Sequence, residues 1–345
     1  MSGEIGAAPS ILVVRRDNIG DLVCTTPLVS ALRSKYPQAW IAALVNRYNA
    51  AVLENNPDIS AVYSYQKAKH RSGDESLLGI YWHRARLILE LRRRAIDFVV
   101  LAAPGYQASA MRFARAVKPR HAVGFAGQED WIDMPVPRAE RSEHQVENIF
   151  RLARAFGIEG PPPPLKLMPS AQVRSRLREQ LPDAKGPVVG VHISARESDR
   201  RWPDEHFAAL MGRIIERYGA AVVLTWAPGD ADNPRFPGDD ASAASLARGL
   251  AGRRVVPMPT PDVTELIASL SLCDYVVCSD GGPVHLAAAL RNPVLCFFGG
   301  EDRRLWYPWG VPYELLQKDT KQVSDISLDD AWSAFQRLVE KTPSA

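Results

Sequence analysis

One segment near the end of the chain restricts the possible folds more than any other part of the sequence. An apolar strand, Tyr275–Cys278, runs into Ser-Asp-Gly-Gly, and Pro283 then occupies a position at which helices commonly begin. Asn292-Pro293 ends that short helix of small residues before a second apolar strand at 294–298. Small residues at such a turn allow backbone N–H groups at a helix N-terminus to face an anion. We therefore expect a parallel α/β unit here, and a phosphate group is its obvious ligand.

The same alternation of apolar strands and helices extends over most of the chain. Strands are predicted at 11–14, 40–45, 61–65, 96–105 (strand then glycine turn), 121–125, 187–193, 221–224, 275–278 and 294–298. Helices are predicted between them, among others at 22–36, 80–94 and 204–218. Strands that alternate with helices in this way form parallel sheets covered on both faces, so the predicted class is α/β.

A run of four prolines after Gly160 gives the clearest domain boundary, because such a segment is stiff and extended and cannot continue a helix. We predict an N-terminal domain at 1–160, a linker at 161–169 and a C-terminal domain at 170–325. A final amphipathic helix within 326–345 is expected to pack back on the N-terminal domain.

Charge is unevenly distributed between the two halves of the chain. Residues 1–160 carry 21 Lys and Arg against 16 Asp and Glu, whereas the remaining residues carry 21 against 23. A basic first half suggests an acidic partner such as a phosphorylated lipid or sugar. No zinc-finger or interleaved basic–aromatic pattern indicates nucleic-acid binding. The four cysteines lack metal-site spacing, which is typical of buried free thiols in a reducing compartment.

No signal peptide is recognisable in Met1–Ser10, and no run approaches the ~20 apolar residues of a membrane span. We therefore expect a cytoplasmic protein, with at most peripheral contact to a membrane. Arginines at 84, 86 and 92–94 are candidates for such contact, although a solvated helix face is the simpler interpretation.

The first polar loop follows the strand at 11–14 and ends in Ile19-Gly20-Asp21. A carboxylate at the end of a strand can act as a general base, and Gly20 leaves room for another molecule to approach. A helix N-cap is the other interpretation of Asp21 and, from position alone, the more common one. The loop lacks G-x-G-x-x-G, which counts against a nicotinamide or flavin dehydrogenase.

The second polar loop, after the strand at 187–193, is rich in groups that bind phosphate. Ser194 offers a hydroxyl, and three guanidinium groups follow it at Arg196, Arg200 and Arg201. The planar fork of arginine can donate two hydrogen bonds to neighbouring diphosphate oxygens. A solvent-exposed charged loop is the alternative, but arginines between a buried strand and Trp202-Pro203 favour an anion site.

The third polar loop is the glycine turn after Cys278. Asp280 would accept hydrogen bonds from sugar hydroxyls, while backbone N–H groups from Gly281 to His285 would meet a diphosphate. A tight turn with Asp280 as a helix N-cap explains the same residues equally well when this segment is considered alone.

Together, the three loops resemble the motifs of glycosyltransferase family 9, the ADP-heptose:lipopolysaccharide heptosyltransferases. The likeness rests on Ile19-Gly20-Asp21 with Thr26-Pro27, on H-x-S-x-R…R-W-P-x-E-x-F from His192 to Phe207, and on S-D-G-G-x-x-H-L-A-A-A-L from Ser279 to Leu290. The motifs occur in the family's order and with compatible spacing. The resemblance implies a GT-B fold, in which two Rossmann-like, doubly wound parallel-sheet domains face each other across a cleft.

The family pattern also implies residue roles and partners. Asp21 takes the position of the general base, Asn18 and Gly20 belong to the acceptor loop, and the catalytic cation is Arg200 or Arg201. The donor-binding positions are Ser194, Arg196, Asp280, Gly281, Gly282, Val284 and His285. The implied reaction is inverting transfer of heptose from ADP-heptose, bound by the C-terminal domain, to an anionic lipid A–core acceptor, bound by the N-terminal domain. It needs no metal and no cofactor, and no nucleic acid is expected.

Two departures from the family pattern leave alternatives open. The first loop has Arg-Asp-Asn where the heptosyltransferase I pattern has small hydroxyl residues and methionine, and the 196–202 loop is one residue longer. The acceptor, the sugar and the choice between Arg200 and Arg201 are therefore undecided at this point. A GT-B enzyme using another nucleotide sugar is the main alternative, and a sugar-nucleotide epimerase is a weaker one.

Overall fold

The apolar segments of the first half form a parallel sheet with helices on both faces. The computed structural model describes residues 5–65, 77–128, 130–182, 186–233 and 237–342. Within these ranges the first sheet has six strands: β1 Ser10–Val14, β2 Trp40–Asn46, β3 Ala61–Tyr65, β4 Phe98–Leu101, β5 His121–Phe125 and β6 Met134–Val136. Its helices are α1 Ile19–Val23, α2 Thr26–Lys35, α3 Leu77–Arg93, α4 Ala108–Val117 and α5 Gln145–Phe150, with 3-10 helices at Arg47–Val52 and Arg151–Phe156.

The second half repeats this architecture. Its described strands are β7 Val188–His192, β8 Ala221–Trp226, β9 Val255–Pro259, β10 Tyr275–Ser279, β11 Val294–Phe298 and β12 Tyr313–Gln317. Its helices are α6 Ala171–Arg178, α7 Asp204–Tyr218, α8 Asp240–Gly249, α9 Val263–Leu270, α10 Gly282–Ala289, α11 Arg303–Trp306 and α12 Leu328–Lys341, with 3-10 helices at Ser198–Arg200 and Val323–Asp325. The chain divides into two compact units, Met1–Lys166 and Leu167–Ala345.

The two sheets share one strand order. The first is β3-β2-β1-β4-β5-β6, and the second is β12-β11-β10-β7-β8-β9, which is the same sequence of neighbours seen from the other edge. Every described strand pair is parallel. The predicted α/β class with two doubly wound parallel sheets is therefore confirmed. In this topology the strand order reverses between the first and fourth strands of each sheet, where ligands usually bind.

The central strands β1 and β4 of the first sheet are almost entirely apolar because they are covered on both faces. Alternate residues of β1 belong to different cores: Ile11 and Val13 pack with α2, whereas Leu12 and Val14 pack with α3 and α4. Hydrophobic burial on both faces fixes the register of the strands and hence the places where the strands end.

The final helix departs from the sequence prediction, which placed it against the N-terminal domain. Its apolar residues Ala331, Ala334, Phe335 and Leu338 are fully buried in the core of the second unit, together with residues of α7, β7 and β10. Ser327 caps the helix by accepting a hydrogen bond from the backbone N–H of Asp330 at 3.1 Å. The amphipathic pattern was recognised correctly, but periodicity alone does not identify the surface that covers an apolar face.

Within the described ranges, no helix combines the length and the apolar character needed to cross a membrane. All four cysteines are buried free thiols, as predicted.

We predict that Phe335→Ala destabilises the second unit by about 3–5 kcal/mol, because it opens a cavity in a closely packed core. The Phe335 ring is buried and lies 5.9 Å from the ring of Tyr218 and 5.8 Å from that of Tyr275. Chemical denaturation measures the change. Ser333→Ala, on the exposed face of the same helix, is the control and should shift stability by less than about 0.5 kcal/mol; equal effects of the two variants would contradict the packing assigned to α12.

Candidate functional site

The predicted site residues lie on loops that leave the switch points of the two sheets. In the first unit the predicted residues follow β1, and the adjacent strand β4 carries a second loop at the same edge. In the second unit they follow β7 and β10, which are also adjacent. Because parallel strands end at the same edge of a sheet, the polar residues of each loop pair are brought together.

A buried arginine holds the candidate base of the first unit. Arg15 directly follows β1, and its side chain is only 1% exposed. Its guanidinium donates hydrogen bonds to the carboxylate of Asp21 and to the carbonyl oxygen of Ala102, which directly follows β4. Its Nε lies 3.0 Å from Oδ2 of Asp17. One cation therefore joins the loop after β1, the end of β4 and two carboxylates.

Amide and hydroxyl groups from neighbouring strand ends fix the backbone of the same loop. The Asn46 side chain at the end of β2 donates to the carbonyl oxygens of Arg16 and Asp17 at 2.7 and 3.0 Å. The Tyr48 hydroxyl donates to the Asp17 carbonyl oxygen at 2.9 Å, and the Gln107 amide donates to the Asp17 carboxylate. The loop is thus held at several points before any ligand binds.

Asp21 is not the N-cap of α1, which corrects one interpretation of the sequence. Asn18 is the N-cap and is exposed, and Asp21 is the third helical residue. Oδ2 of Asp21 accepts a hydrogen bond from the Asn18 backbone N–H at 3.0 Å, as in the second half of a capping box. Gly20 between them is buried. The Asp21 side chain is 13% exposed, so its carboxylate is largely buried yet still reaches solvent.

In the second unit, a 3-10 turn brings Arg200 to the glycine turn. Nη1 of Arg200 lies 3.2 Å from Oδ2 of Asp280, and Nη2 donates to Oε1 of Glu301 at 2.8 Å. The Asp280 side chain is 5% exposed and the Arg200 side chain 20%. Arg200 is therefore the arginine that lies beside the turn after β10.

Arg201 points to a different place. Its Nη1 donates to Oδ1 of Asp239, the residue that precedes α8, at 2.7 Å. The next residue, Trp202, anchors the end of the loop in the core of the second unit. Its ring packs against Phe207 and Phe297, and its Nε1 donates a hydrogen bond to the carbonyl oxygen of Ile326 at 2.8 Å. The two neighbouring arginines consequently have different partners.

A close backbone approach positions the 3-10 turn. Oδ2 of Asp199 accepts a hydrogen bond from the Gly300 backbone N–H at 3.0 Å. A Cβ atom at Gly299 would lie 2.6 Å from the same oxygen. Glycine is therefore required after β11 for the turn that carries Arg200 to pack there.

Helix α10 begins two residues after Asp280, the partner of Arg200. Gly281 is its N-cap and has φ 151° and ψ −163°, a conformation open in practice only to glycine. The first N–H groups of a helix have no acceptor within the helix, and Pro283 has no backbone N–H group. Gly282 and Val284, on either side of it, are therefore the donors that face forward from this helix end. Val284 and His285 are buried, and the His285 ring lies edge-on to Trp306 at 5.5 Å. Backbone dipoles and a guanidinium together favour an anion here.

Burial also changes the acidity of the aspartate in this turn. It raises the pKa of Asp280 from 3.8 to about 6; Arg200 opposes the rise, whereas Glu301 and Asp199 add to it. Asp280 is also not the helix cap, since Gly281 occupies that position. It is ionised at neutral pH and, with an oxygen that accepts no hydrogen bond from the described residues, is suited to accept hydrogen bonds from hydroxyl groups.

The remaining predicted residues have distinct surroundings. The Ser194 hydroxyl accepts a hydrogen bond from the Ala227 backbone N–H at 2.9 Å, so it ties the loops after β7 and β8 together and still has its proton to donate. Arg196 is exposed and forms no ion pair with a described residue. Buried His192 lies 3.0 Å from the Thr225 hydroxyl, and burial lowers its pKa to about 4, which fits a structural role.

Sequence reasoning missed the residues that hold the predicted ones in place: Arg15, Asn46, Gln107, Asp199, Asp239 and Glu301. Each lies at or just beyond the carboxyl end of a strand or at the start of a helix. Polar residues at successive strand ends would have been the signal. Among the residues the structure describes, no group of three or more His, Cys, Asp or Glu is placed to hold a metal ion.

Comparisons with known proteins show the family to which the chain belongs. The family model for glycosyltransferase family 9 (heptosyltransferase) matches residues 84–331. Lipopolysaccharide heptosyltransferase 3 of Escherichia coli (strain K12) is 26% identical over 357 residues, covering 94% of this chain and 97% of that protein.

Solved structures show the same fold. A family 9 glycosyltransferase from Veillonella parvula superposes with a TM-score of 0.82 at 16% identity, covering 98% of this chain and all of that one. The Escherichia coli heptosyltransferase WaaC, solved with ADP-2-deoxy-2-fluoro heptose, superposes with a TM-score of 0.73 at 20% identity, covering 96% and 99% of the two chains.

The fold is therefore GT-B, as the resemblance implied. Because the family model spans well over half of the sequence, including both polar loops of the second unit, the chain belongs to glycosyltransferase family 9, the heptosyltransferase family.

Proposed function

We propose that this protein is an inverting glycosyltransferase that moves a heptose from ADP-heptose to an inner-core acceptor of lipopolysaccharide at the cytoplasmic face of the inner membrane. The observation that carries the proposal is the grouping of Arg200, Asp280 and the N-terminus of α10 at the switch point of the second sheet. This grouping provides positive charge for a diphosphate beside a carboxylate for sugar hydroxyls. The heptosyltransferase names of the relatives and the ADP-heptose analogue bound to WaaC support the choice of donor and acceptor.

Asp21 is the proposed general base. Its carboxylate takes the proton of the acceptor hydroxyl while the oxygen attacks the anomeric carbon of the donor from the face opposite the leaving group. Arg15 is a positioning residue: it fixes the carboxylate through a buried ion pair and leaves one edge of Asp21 reachable from solvent. Asn18 and Gly20 form the acceptor loop in this proposal.

The second unit stabilises the leaving group. As the bond from the anomeric carbon to the phosphate oxygen breaks, its electron pair stays on ADP and negative charge grows on the diphosphate. Arg200 and the backbone N–H groups of Gly282 and Val284 are fixed before the reaction, which makes their stabilisation most effective. The Ser194 hydroxyl donates a hydrogen bond to the diphosphate, and the Asp280 carboxylate orients the sugar by accepting hydrogen bonds from its hydroxyl groups. These groups supply the charge stabilisation without a metal ion.

The reaction and its base are tested by a transfer assay with ADP-heptose and a heptose-deficient lipopolysaccharide acceptor. We expect the native protein to form product and Asp21→Asn to lose at least about a hundredfold in kcat, because an amide cannot accept the proton. The Kd of the donor should stay unchanged. Asp17→Asn is the matched control: Asp17 shares the Arg15 partner but takes no proton, so this variant should keep most of its activity.

Two results would contradict the assignment. A fully active Asp21→Asn protein would remove Asp21 as the base while leaving the reaction intact. Thermal stabilisation of the native protein by UDP-sugars but not by ADP-sugars would instead exclude ADP-heptose as the donor and favour another nucleotide sugar.

The two neighbouring arginines should differ in ADP binding. Both pair with a buried aspartate, so methionine at either position causes a comparable structural loss. Only Arg200 lies at the N-terminus of α10. We expect Arg200→Met to weaken ADP binding about 10- to 100-fold, the value of a charge-assisted hydrogen bond, and Arg201→Met to change it less than about threefold. Isothermal titration calorimetry measures both; the reverse ranking would assign the diphosphate to Arg201.

The raised pKa of Asp280 predicts a pH-dependent stability difference. The Asp280 carboxyl has a pKa of about 6 in the folded chain and an ordinary value of 3.8 in the unfolded chain. The folded chain therefore binds the carboxyl proton more tightly than the unfolded chain does. The associated stability is complete below pH ~4 and is lost as the pH rises through 6, by about 3 kcal/mol. Asp280→Asn carries no such proton, so its unfolding free energy should rise relative to the native protein between pH 4 and 7. A difference that stays constant with pH in denaturant titrations would show that the carboxyl titrates normally.

A further inference from the structure

Helix α3 has two opposite faces that are both well defined. Its inner face consists of Arg84, Leu87, Ile88 and Leu91, which are buried or half-buried against the sheet and α4. Successive residues of an α-helix are rotated by about 100° around its axis. By this rotation, four further residues of α3 fall within an arc of about 60° on the side of the helix opposite the inner face. That set, which we call the outer stripe, is Trp82, Arg86, Leu89 and Arg93.

Large exposed apolar side chains alternate with arginines along the outer stripe. Trp82 is 66% exposed and Leu89 is 51% exposed. The guanidinium of Arg86 lies over the Trp82 ring at 5.8 Å from its centroid, and Arg93 is exposed one helical turn beyond Leu89. Among the residues that the structure describes, Trp82 and Leu89 belong to neither apolar core of the first unit, to which α3 contributes only residues of its inner face.

The other arginines of this region serve the fold itself. Arg92 donates through Nε to the carbonyl oxygen of Ala116 at 2.6 Å, and Arg94 stacks over the Trp40 ring at 4.3 Å. Glu90, the carboxylate beside the stripe, accepts a hydrogen bond from the Tyr63 hydroxyl at 2.8 Å, away from the stripe. The stripe therefore combines an apolar surface with two arginine charges and no carboxylate of its own.

We propose that the outer stripe of α3 docks the protein on an anionic phospholipid bilayer. Tryptophan is the side chain most suited to the headgroup boundary, and leucine enters the acyl region just below it. Arginine places its stem along apolar surface and its guanidinium at the lipid phosphates. A helix with Trp and Leu flanked by Arg on its exposed face therefore fits an anionic membrane surface.

Charge argues against a second copy of the chain as the occupant. In a symmetric dimer the stripe would face itself, which brings Arg86 and Arg93 of two chains together. Like charges at such a contact oppose association, whereas a bilayer of anionic lipids neutralises them.

The test is co-sedimentation of the full-length protein with vesicles, without any substrate, so that its outcome does not depend on the proposed reaction. We expect binding to vesicles of equimolar phosphatidylglycerol and phosphatidylcholine that weakens with added salt, and little binding to phosphatidylcholine alone. Arg86→Glu/Arg93→Glu should weaken binding at least about 25-fold, from roughly fivefold for each of the two arginine charges lost. Trp82→Ala should weaken it about tenfold.

The control for charge is Arg174→Glu/Arg178→Glu, which changes the net charge equally on an exposed face of α6 in the second unit. The control for exposed apolar area is Met168→Ala, at a residue 44% exposed. Neither control should change vesicle binding by more than about twofold, and circular dichroism should show all variants folded, because every changed side chain is exposed.

Three outcomes would overturn the proposal. One is the absence of binding to anionic vesicles. Another is an equal loss in the α6 charge variant, which would show that only net charge matters. The third is a dimer in sedimentation velocity that Trp82→Ala converts to a monomer, since a second copy would then cover the stripe.

Discussion

The whole arrangement depends on one constraint, the reversal of strand order between the first and fourth strands of each sheet. Loops that follow adjacent parallel strands start from neighbouring points, but the helices after them leave toward opposite faces. These helices leave the sheet edge between the two loops open, so polar groups can collect there without burying unpaired backbone. In the first unit this edge holds Arg15, Asp17 and Asp21, and in the second it holds Arg200, Asp280 and Glu301.

Both edges place one arginine among two or more carboxylates, yet the electrostatic consequences differ. Arg15 is almost completely buried, and removing one partner of such a pair leaves an uncompensated charge, which is costly. It is therefore suited to hold a fixed base. Arg200 is more accessible, and its partner Asp280 has a pKa raised by burial to about 6, so that ion pair is incompletely satisfied. In the proposed function, an incoming diphosphate takes over part of the Arg200 interaction, which suits a site that binds and releases its ligand.

The sequence was sufficient for the parts of the fold that are central in a sheet. Nearly continuous apolar strands such as β1 and β10 were recognised because both of their faces are buried. The strands that were missed, β6, β9 and β12, all lie at sheet edges. β6 and β9 contain proline and β12 contains a buried glutamate, and edge strands tolerate such residues because one side of their backbone is unpaired.

At the site, the sequence located the loops but not the pairings within them. Residues 200 and 201 are chemically identical, and only the 3-10 turn held by Asp199 at Gly300 directs one toward Asp280 and the other toward Asp239. Likewise, Asp21 could not be separated from a simple helix cap until Asn18 was found to occupy that position. Side-chain partners depend on local backbone geometry, which residue types alone leave undetermined.

The arginines in the first half of the chain differ in function, which the net charge of that half does not show. Most of the arginines near α3 are bound to the unit itself: Arg84 lies over the Phe113 ring, Arg92 binds a backbone carbonyl, and Arg94 covers Trp40. A net charge counts these with the rest, although their guanidinium groups already contact the protein. Arg86 and Arg93 differ because they alternate with the exposed side chains of Trp82 and Leu89 on the outer stripe. If the acceptor is a lipid-anchored sugar, its reacting hydroxyl lies close to the membrane surface. A docking helix on the unit that carries the proposed base would then confine the diffusion of the enzyme to the membrane surface, where that hydroxyl lies.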